Sequence, residues 1–328
     1  MHNHRLLTLD PDTLATAHFS GALVPTAGLQ DSATATDVRM EWPVGLAVLK
    51  NGSVLFTDRQ NRALRVADGA TGGVTTIAGD YPGAANGWAD ATGLAARFQR
   101  HVGIFLHNGE ADLYVADRNT NAIRKVVLST KAVTTVVGDV STYPTPKSGM
   151  SDGAALSGAQ FNWPTGICFV ANVAFVTDNL NHAVRKWDLG SGVVSTLAGT
   201  IGAPGFVDSA EGSAALSRPF MIAADSSGIL FVADYENKAV RTVDSVTGAT
   251  ATLFVAQDKV RYAAVASSGK TLWTAENLGL VRRHDLTSVA DSLAKLRITP
   301  TLTQRMGSNG TSGPAVGSAA QFYHPTAI

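Results

Sequence analysis

The sequence predicts an all-β fold, a six-bladed β-propeller of four-stranded antiparallel blades, and three observations carry that reading. First, a strand–acid–turn–strand motif recurs as VLFTDRQNRALRV (54–66), LYVADRNTNAIRKV (113–126), AFVTDNLNHAVRKW (174–187) and LFVADYENKAVRTV (230–243), with a weaker copy, LWTAENLGLVRR, at 272–283. Second, the acidic positions 58, 117, 178, 234 and 276 lie 59, 61, 56 and 42 residues apart, the spacing of a blade-sized unit. Third, the segments are short and rich in Val, Ile, Thr and Phe, and none sustains a 3.6-residue apolar period. A lone meander leaves two apolar faces in water, and stacking copies around an axis covers them.

Each unit reads as four strands in order. The first strand is WPVGLAVL (42–49), RHVGIFL (100–106), WPTGICFV (163–170) or RPFMIAA (218–224). In the first copy Lys50-Asn51-Gly52 follows, a hairpin signal because Asn and Gly tolerate positive φ. The second strand ends at the repeated acid, and an Asn-containing turn leads to the third. There an Arg follows the acid by seven residues, at 65, 124, 185 and 241, and by six at 282. The fourth strand is VTTIAG (74–79), VTTVVG (133–138), VVSTLAG (193–199) or the looser ATATLF (249–254).

Within the third strand the Arg alternates with apolar neighbours, so it faces an adjoining blade, where a buried guanidinium requires an acceptor. The repeated acid and Arg are expected to pair, with the acid also accepting from its own turn's backbone. The connectors GWADATGLAARF (87–98), GMSDGAALSGAQF (149–161) and GFVDSAEGSAALS (205–217) share an Asp before an Ala-rich stretch. Asp90, Asp152 and Asp208 are expected to cap a turn of helix there.

The ends read as fragments of the same unit. Asn3-His4-Arg5-Leu6-Leu7 matches the turn and third strand, LATAHFSG (14–21) the fourth strand, and His324-Pro325-Thr326-Ala327 the start of a first strand. The expectation is one domain over 1–328, five complete blades and an incomplete sixth split between the termini, in a segment of a longer protein. Pro325–Ile328 is expected to approach Leu6–Asp10.

The pattern P-x-G-I, L-Y-V-A-D-x-x-N, I-R-K and V-T-T-L-A-G resembles the NHL-repeat family of β-propellers, over nearly the whole chain. That resemblance implies the fold more firmly than an activity. Such families include protein-binding modules, RNA-binding modules, sensor domains and a few enzymes.

Composition narrows the function classes. Lys plus Arg and Asp plus Glu are 26 each, so the neutral chain does not predict general nucleic-acid binding, although a small basic patch remains compatible. One cysteine, Cys168, permits neither a disulfide framework nor a cysteine zinc site, and its place among Ile and Leu of sister copies predicts a buried thiol. No run of 18 apolar residues crosses a membrane as a helix. The eight histidines share no recurring strand position, no inward carboxylates add to the repeated acid, and no Gly-x-Ser-x-Gly elbow or phosphate-cradling Gly loop occurs. Catalytic residues, metal ligands and cofactors are therefore not predicted, and the compartment is left open.

Two functions stand. The first is a non-enzymatic recognition scaffold that binds a protein or small molecule at the channel mouth. The alternative is a metal-dependent hydrolase or lyase with its site in the central channel. For the first, the turn after each acid varies where the scaffold does not: Arg59, Arg118, Asn179, Tyr235 and Asn277. These are the candidate ligand-binding residues, because long connectors and variable turns on a rigid frame carry recognition.

Overall fold

The computed structural model describes residues 4–13, 15–23, 27–79, 87–138, 147–266, 269–277, 279–287 and 301–306. The chain opens with a hairpin, β1 (Leu6–Leu9) against β2 (Thr16–Ser20). Among the described residues five four-stranded antiparallel meanders follow. Blade I is β3 (Pro43–Val48), β4 (Val54–Asp58), β5 (Ala63–Ala67) and β6 (Val74–Gly79). A two-residue strand from the connector, β7 (Ala91–Thr92), then joins the outer edge of blade II. That blade is β8 (His101–His107), β9 (Asp112–Asp117), β10 (Ala122–Val127) and β11 (Ala132–Val137). Blade III repeats the arrangement with β12 (Gly153–Ala154) outside β13 (Pro164–Val170), β14 (Val173–Asp178), β15 (Ala183–Asp188) and β16 (Val193–Ala198). Blade IV is β17 (Pro219–Ala224), β18 (Ile229–Asp234), β19 (Ala239–Asp244) and β20 (Thr250–Val255). Blade V is β21 (Val260–Val265), β22 (Thr271–Glu276), β23 (Val281–Asp285) and β24 (Thr301–Met306). Pro325–Ile328 lies outside the described residues.

First strands are innermost, and the glycine of P-x-G-I explains how they fit. A Cβ on Gly45 would stand 2.1 Å from the Val102 carbonyl oxygen of the next blade, and one on Gly103 2.5 Å from that of Thr165. Only a residue without Cβ lets the backbones approach so closely. Between consecutive blades apolar side chains interlock: Leu55 and Leu64 with Phe98, Leu113 and Val126 across I and II, and Phe175 and Val184 with Leu230 and Val243 across III and IV. Each such fully buried side chain contributes about 1.5–3 kcal/mol of transfer free energy. Leu6 of β1 packs with Val38, Met40, Phe56 and Val74, so the opening hairpin lies on blade I.

The repeated acid and Arg pair as expected, and a second carboxylate joins them. Arg185 has a fully buried side chain and meets Asp178 at 2.8 Å and Asp152 at 2.5 Å. Arg65 bridges Asp58 and Asp31, Arg124 bridges Asp117 and Asp90, and Arg241 bridges Asp234 and Asp208. Bulges such as that between Val184 and Arg185 set each Arg opposite a fourth-strand Thr. That Thr also reaches the connector carboxylate: Thr135 Oγ1 donates to Asp90, Thr196 Oγ1 to Asp152 and Thr252 Oγ1 to Asp208.

Two expectations are corrected here. Asp90, Asp152 and Asp208 do not cap helices. They close the Arg bridge, because a buried guanidinium offers more donors than one carboxylate accepts. Nor does the repeated acid accept from its own turn's backbone N–H groups. Asp58, Asp117, Asp178 and Asp234 accept instead from the upstream N–H of Glu41, Gln99, Asn162 and Ser217. Burial pushes Asp58, Asp117 and Asp178 up to about 6 despite the Arg beside each. In blade V, Glu276 pairs with Arg282 Nε, and Gln257 Oε1 lies 3.4 Å from Nη2, the atom that meets the connector Asp in sister copies.

The candidate functional site at the channel mouth

The turns after the acid and the inter-blade connectors share one face of the ring. Asn61, Asn181 and Asn237 each donate from Nδ2 to a connector carbonyl, on Gly28, Gly149 and Gly205, at 2.6–2.7 Å. The same amides bond the repeated acids Asp58, Asp178 and Asp234, so the loops are tied to the buried bridges.

Two sets of residues interleave at this face. One is the turn set of sequence analysis. The other is the residue just before each first strand: Trp42, Arg100, Trp163, Arg218 and Lys259. The first four take φ of 56°, 55°, 60° and 50°, an αL kink that lifts each side chain out of the strand. Backbone bonds join the sets: Arg59 N–H to the Trp42 carbonyl, Asn179 to Trp163 and Asn277 to Lys259, at 3.0–3.2 Å.

Successive blades are clasped at this ring. The N–H of Trp163 donates to Asn121 Oδ1 of the blade before, at 2.9 Å, and that of Arg218 to His182 Nδ1, at 3.1 Å. The same bond recurs from Trp42 N–H to His4 Nδ1, at 3.4 Å, so the opening hairpin stands to blade I as blades II and III stand to their successors. On its other side, Arg283 of blade V donates to the Pro11 carbonyl of that hairpin at 3.3 Å.

The predicted site residues do not share one role. Arg59 and Arg118 are half-buried and lie over rings, Arg59 at 5.7 Å from Trp42 and Arg118 at 3.7 Å from Trp163. Tyr235 and Asn277 join a network in which Asn277 Nδ2 donates to Tyr235 Oη at 2.9 Å. Asn179 is buried, and its amide donates to the Arg218 and Pro219 carbonyls, which ties blade III to blade IV.

Arg261 completes the network and was missed by sequence reasoning. It occupies the second first-strand position, where the other blades carry Val44, Val102, Thr165 and Phe220. Its Nε donates to Asn277 Oδ1 at 3.1 Å and its Nη2 to Tyr235 Oη at 3.2 Å, with Phe220 and Tyr235 rings beneath it at 4.9 and 5.1 Å. A charge at a repeat position that is uncharged in every other copy is the signal that aligned copies offer.

The resulting mouth is cationic. Among the described residues Arg59, Arg100, Arg118 and Arg261 have no carboxylate at ion-pair distance, and Glu236 is committed to Lys259 at 2.5 Å, with Arg218 at 3.9 Å. Desolvation, then the charges of Arg59, Arg100, Arg261 and Arg218, pushes Arg118 down to about 10. Desolvation chiefly lowers Arg59; Tyr262 raises it by more than either Arg100 or Arg261 lowers it. The Nε atoms of Arg59 and Arg118 are buried without an acceptor among the described residues.

Elsewhere the chemistry differs. The opposite face carries Asp68, Asp188, Asp225, Asp244 and Asp285 in strand-end turns. Most of these bond nearby N–H groups, as Asp68 does those of Ala70 and Thr71. A cavity of about 340 Å³ along the first strands is walled by Ile104, Phe105, Phe169, Ile222 and Trp273. Cys168 is buried beside it, and burial pushes its thiol up. Among the described residues no three His, Cys, Asp or Glu side chains converge as metal ligands, and no helix is long and apolar enough to cross a membrane.

No protein-family model matches the chain. Among curated proteins it is similar to Protein SUPPRESSOR OF QUENCHING 1, chloroplastic, of Arabidopsis thaliana, at 32% identity over 157 residues, 47% of this chain and 15% of that protein. It is similar to NHL repeat-containing protein 2 of Bos taurus at 30% identity over 162 residues, 47% of this chain and 22% of that one. The match thus spans about a fifth or less of these relatives' lengths. Among solved structures, one of a nidogen/laminin complex aligns at TM-score 0.58 and 15% identity, covering 88% of each chain. A streptogramin B lyase aligns at TM-score 0.51 and 14% identity, covering 76% of this chain and 68% of that one. At such identities the structures speak for the fold alone. The repeat folded blade by blade, with relatives named for the same repeat, supports an NHL-repeat β-propeller family for the chain.

Proposed function

We propose that this propeller is a non-enzymatic recognition scaffold whose ligand, a protein or small molecule, docks at the channel mouth. One observation carries the reading: half-buried Arg59, Arg118 and Arg261 lie over aromatic rings without a carboxylate at ion-pair distance among the described residues. Folding alone gives no return for gathering like charges in a partly dry site, whereas an incoming partner supplies one. Tyr235 and Asn277 hold Arg261 in place, and buried Asn179 fixes the rim on which Arg218 stands. The test is capture of partners from lysate on the immobilised protein and on an Arg59→Ala, Arg118→Ala double variant. The reading expects the captured set to be lost with melting temperature retained. Retention by the double variant, with loss on mutating Asn51 and Thr71 on the opposite face, would move the site across the ring.

A sixth blade position, divided between the opening hairpin and Pro325–Ile328, accompanies this proposal. Its support is the His4 clasp on Trp42, with Arg283 against Pro11 on the other side. A first strand stands two strand spacings, roughly 10 Å, from a third. A bifunctional maleimide of that reach is therefore expected to join Leu7→Cys to Ala327→Cys within one chain. No intramolecular product, at full reactivity of each cysteine alone, would refute the division.

A further inference from the structure

We propose that the cationic mouth binds a compact oxyanion of two negative charges, carried as phosphate or as two adjacent carboxylates, between Arg59, Arg118 and Arg261. This rests on the recognition reading and names its chemistry. Two independent features point to it. Orientation is fixed: Arg118 lies 3.7 Å over Trp163, and Arg261 is anchored by Asn277 and Tyr235 with two rings beneath it. A planar fork held against an aromatic ring loses little freedom on meeting an oxyanion, and two forks accept it at several oxygens. Charge is unbalanced: Arg100 joins the cluster from the rim, and desolvation with mutual repulsion depresses Arg118. A monovalent ion leaves most of that repulsion in place; a dianion relieves it. Glu236, on the same rim, is engaged by Lys259 and Arg218.

The salt bridges inside the blades provide the contrast. Arg65, Arg124, Arg185 and Arg241 are each matched by two carboxylates, so this fold neutralises buried guanidinium groups where stability is their only purpose. The mouth arginines depart from that pattern.

The test is isothermal calorimetry and thermal melting of the whole chain with inorganic phosphate, with malonate, and with sodium chloride at matched ionic strength. Saturable binding and a rise in melting temperature are expected with phosphate, malonate or both, which identifies the source, and not with chloride. Arg118→Gln and Arg261→Gln, each tested alone, are expected to weaken that binding at least tenfold. Arg218→Gln, on the exposed rim beside Glu236, is expected to change it less than threefold. Melting without ligand separates site from scaffold: Arg118→Gln is expected to hold or raise the melting temperature, because it removes one charge from a repelling group. Equal stabilisation by chloride, or full binding by both variants, overturns the inference. So does tight binding of a mixed-sequence single-stranded RNA, lost in the variants, with neither small anion bound. If no small anion binds yet the Arg59, Arg118 variant still loses its captured partners, the oxyanion inference fails and the recognition reading stands.

Discussion

Replacing Asp178 by alanine measures what the buried bridge contributes. The carboxylate accepts from Asn162 N–H at 2.7 Å, Asn181 Nδ2 at 2.8 Å and Arg185 Nη1 at 2.8 Å. Each buried donor left without an acceptor costs about 1–3 kcal/mol. Two effects reduce the sum. Arg185 keeps Asp152 and the Gln160 and Ser151 carbonyls, so its charge is not orphaned. The substitution also removes the desolvation that pushes Asp178 up to about 6. The net expectation is about 2–4 kcal/mol, in the lower range for breaking a buried pair. Asp152→Ala is the control: its side chain is 48% exposed, water can replace it, and a loss of about 1 kcal/mol or less is expected. Urea unfolding followed by tryptophan fluorescence reads both, provided the m-value is unchanged. If Asp152→Ala costs as much as Asp178→Ala, the inner carboxylate is not the structural partner and the reasoning fails.

Two further outcomes follow from the frame. Gly103→Ala places a Cβ 2.5 Å from the Thr165 carbonyl oxygen, so the first strands of blades II and III must part, at about 1–3 kcal/mol in the same unfolding assay. His101 is fully buried where sister copies carry Pro43, Pro164, Pro219 or Val260, with Nε2 at 3.0 Å from the Ala63 carbonyl; burial pushes it down to about 4. A depressed histidine contributes stability above its unfolded value near 6.5 and loses it as pH falls towards 4, so wild type is expected to lose up to about 3 kcal/mol relative to His101→Val over that window. A stability difference that is flat in pH would refute it.

Much of this was legible in the sequence because one unit is written several times. Leu113-Tyr114-Val115-Ala116-Asp117 and its sisters place a strand, an acid and a turn at a fixed offset, and a buried Arg seven residues on requires a counter-charge. Asp90, Asp152 and Asp208 were legible as repeated but not in role. An Asp before an Ala-rich stretch has the local look of a helix cap, whereas its partner Arg lies 33 or 34 residues downstream. Asp31, which plays the same part for blade I, lies in a connector that shares little with the others. At the mouth, variability marked Arg59 and Arg118 but passed over Arg261, because blade V departs most from its sisters. Trp42 and Trp163 read as strand starts until their φ lifts them to the rim.

Equal numbers of acids and bases suggest a molecule without electrical direction. Sorting by face gives it one: guanidinium groups outnumber carboxylates at the mouth, while on the far side Asp68, Asp188, Asp225, Asp244 and Asp285 outnumber Lys50, Lys131 and Lys270 in the strand-end turns. A neutral body so divided has a dipole along the ring axis. It exerts a torque rather than a net pull on an approaching anion, turning the mouth towards it and the far rim away. Such orientation acts within roughly a Debye length, about 8 Å at physiological salt, so it shapes the last step of an encounter and fades as salt rises.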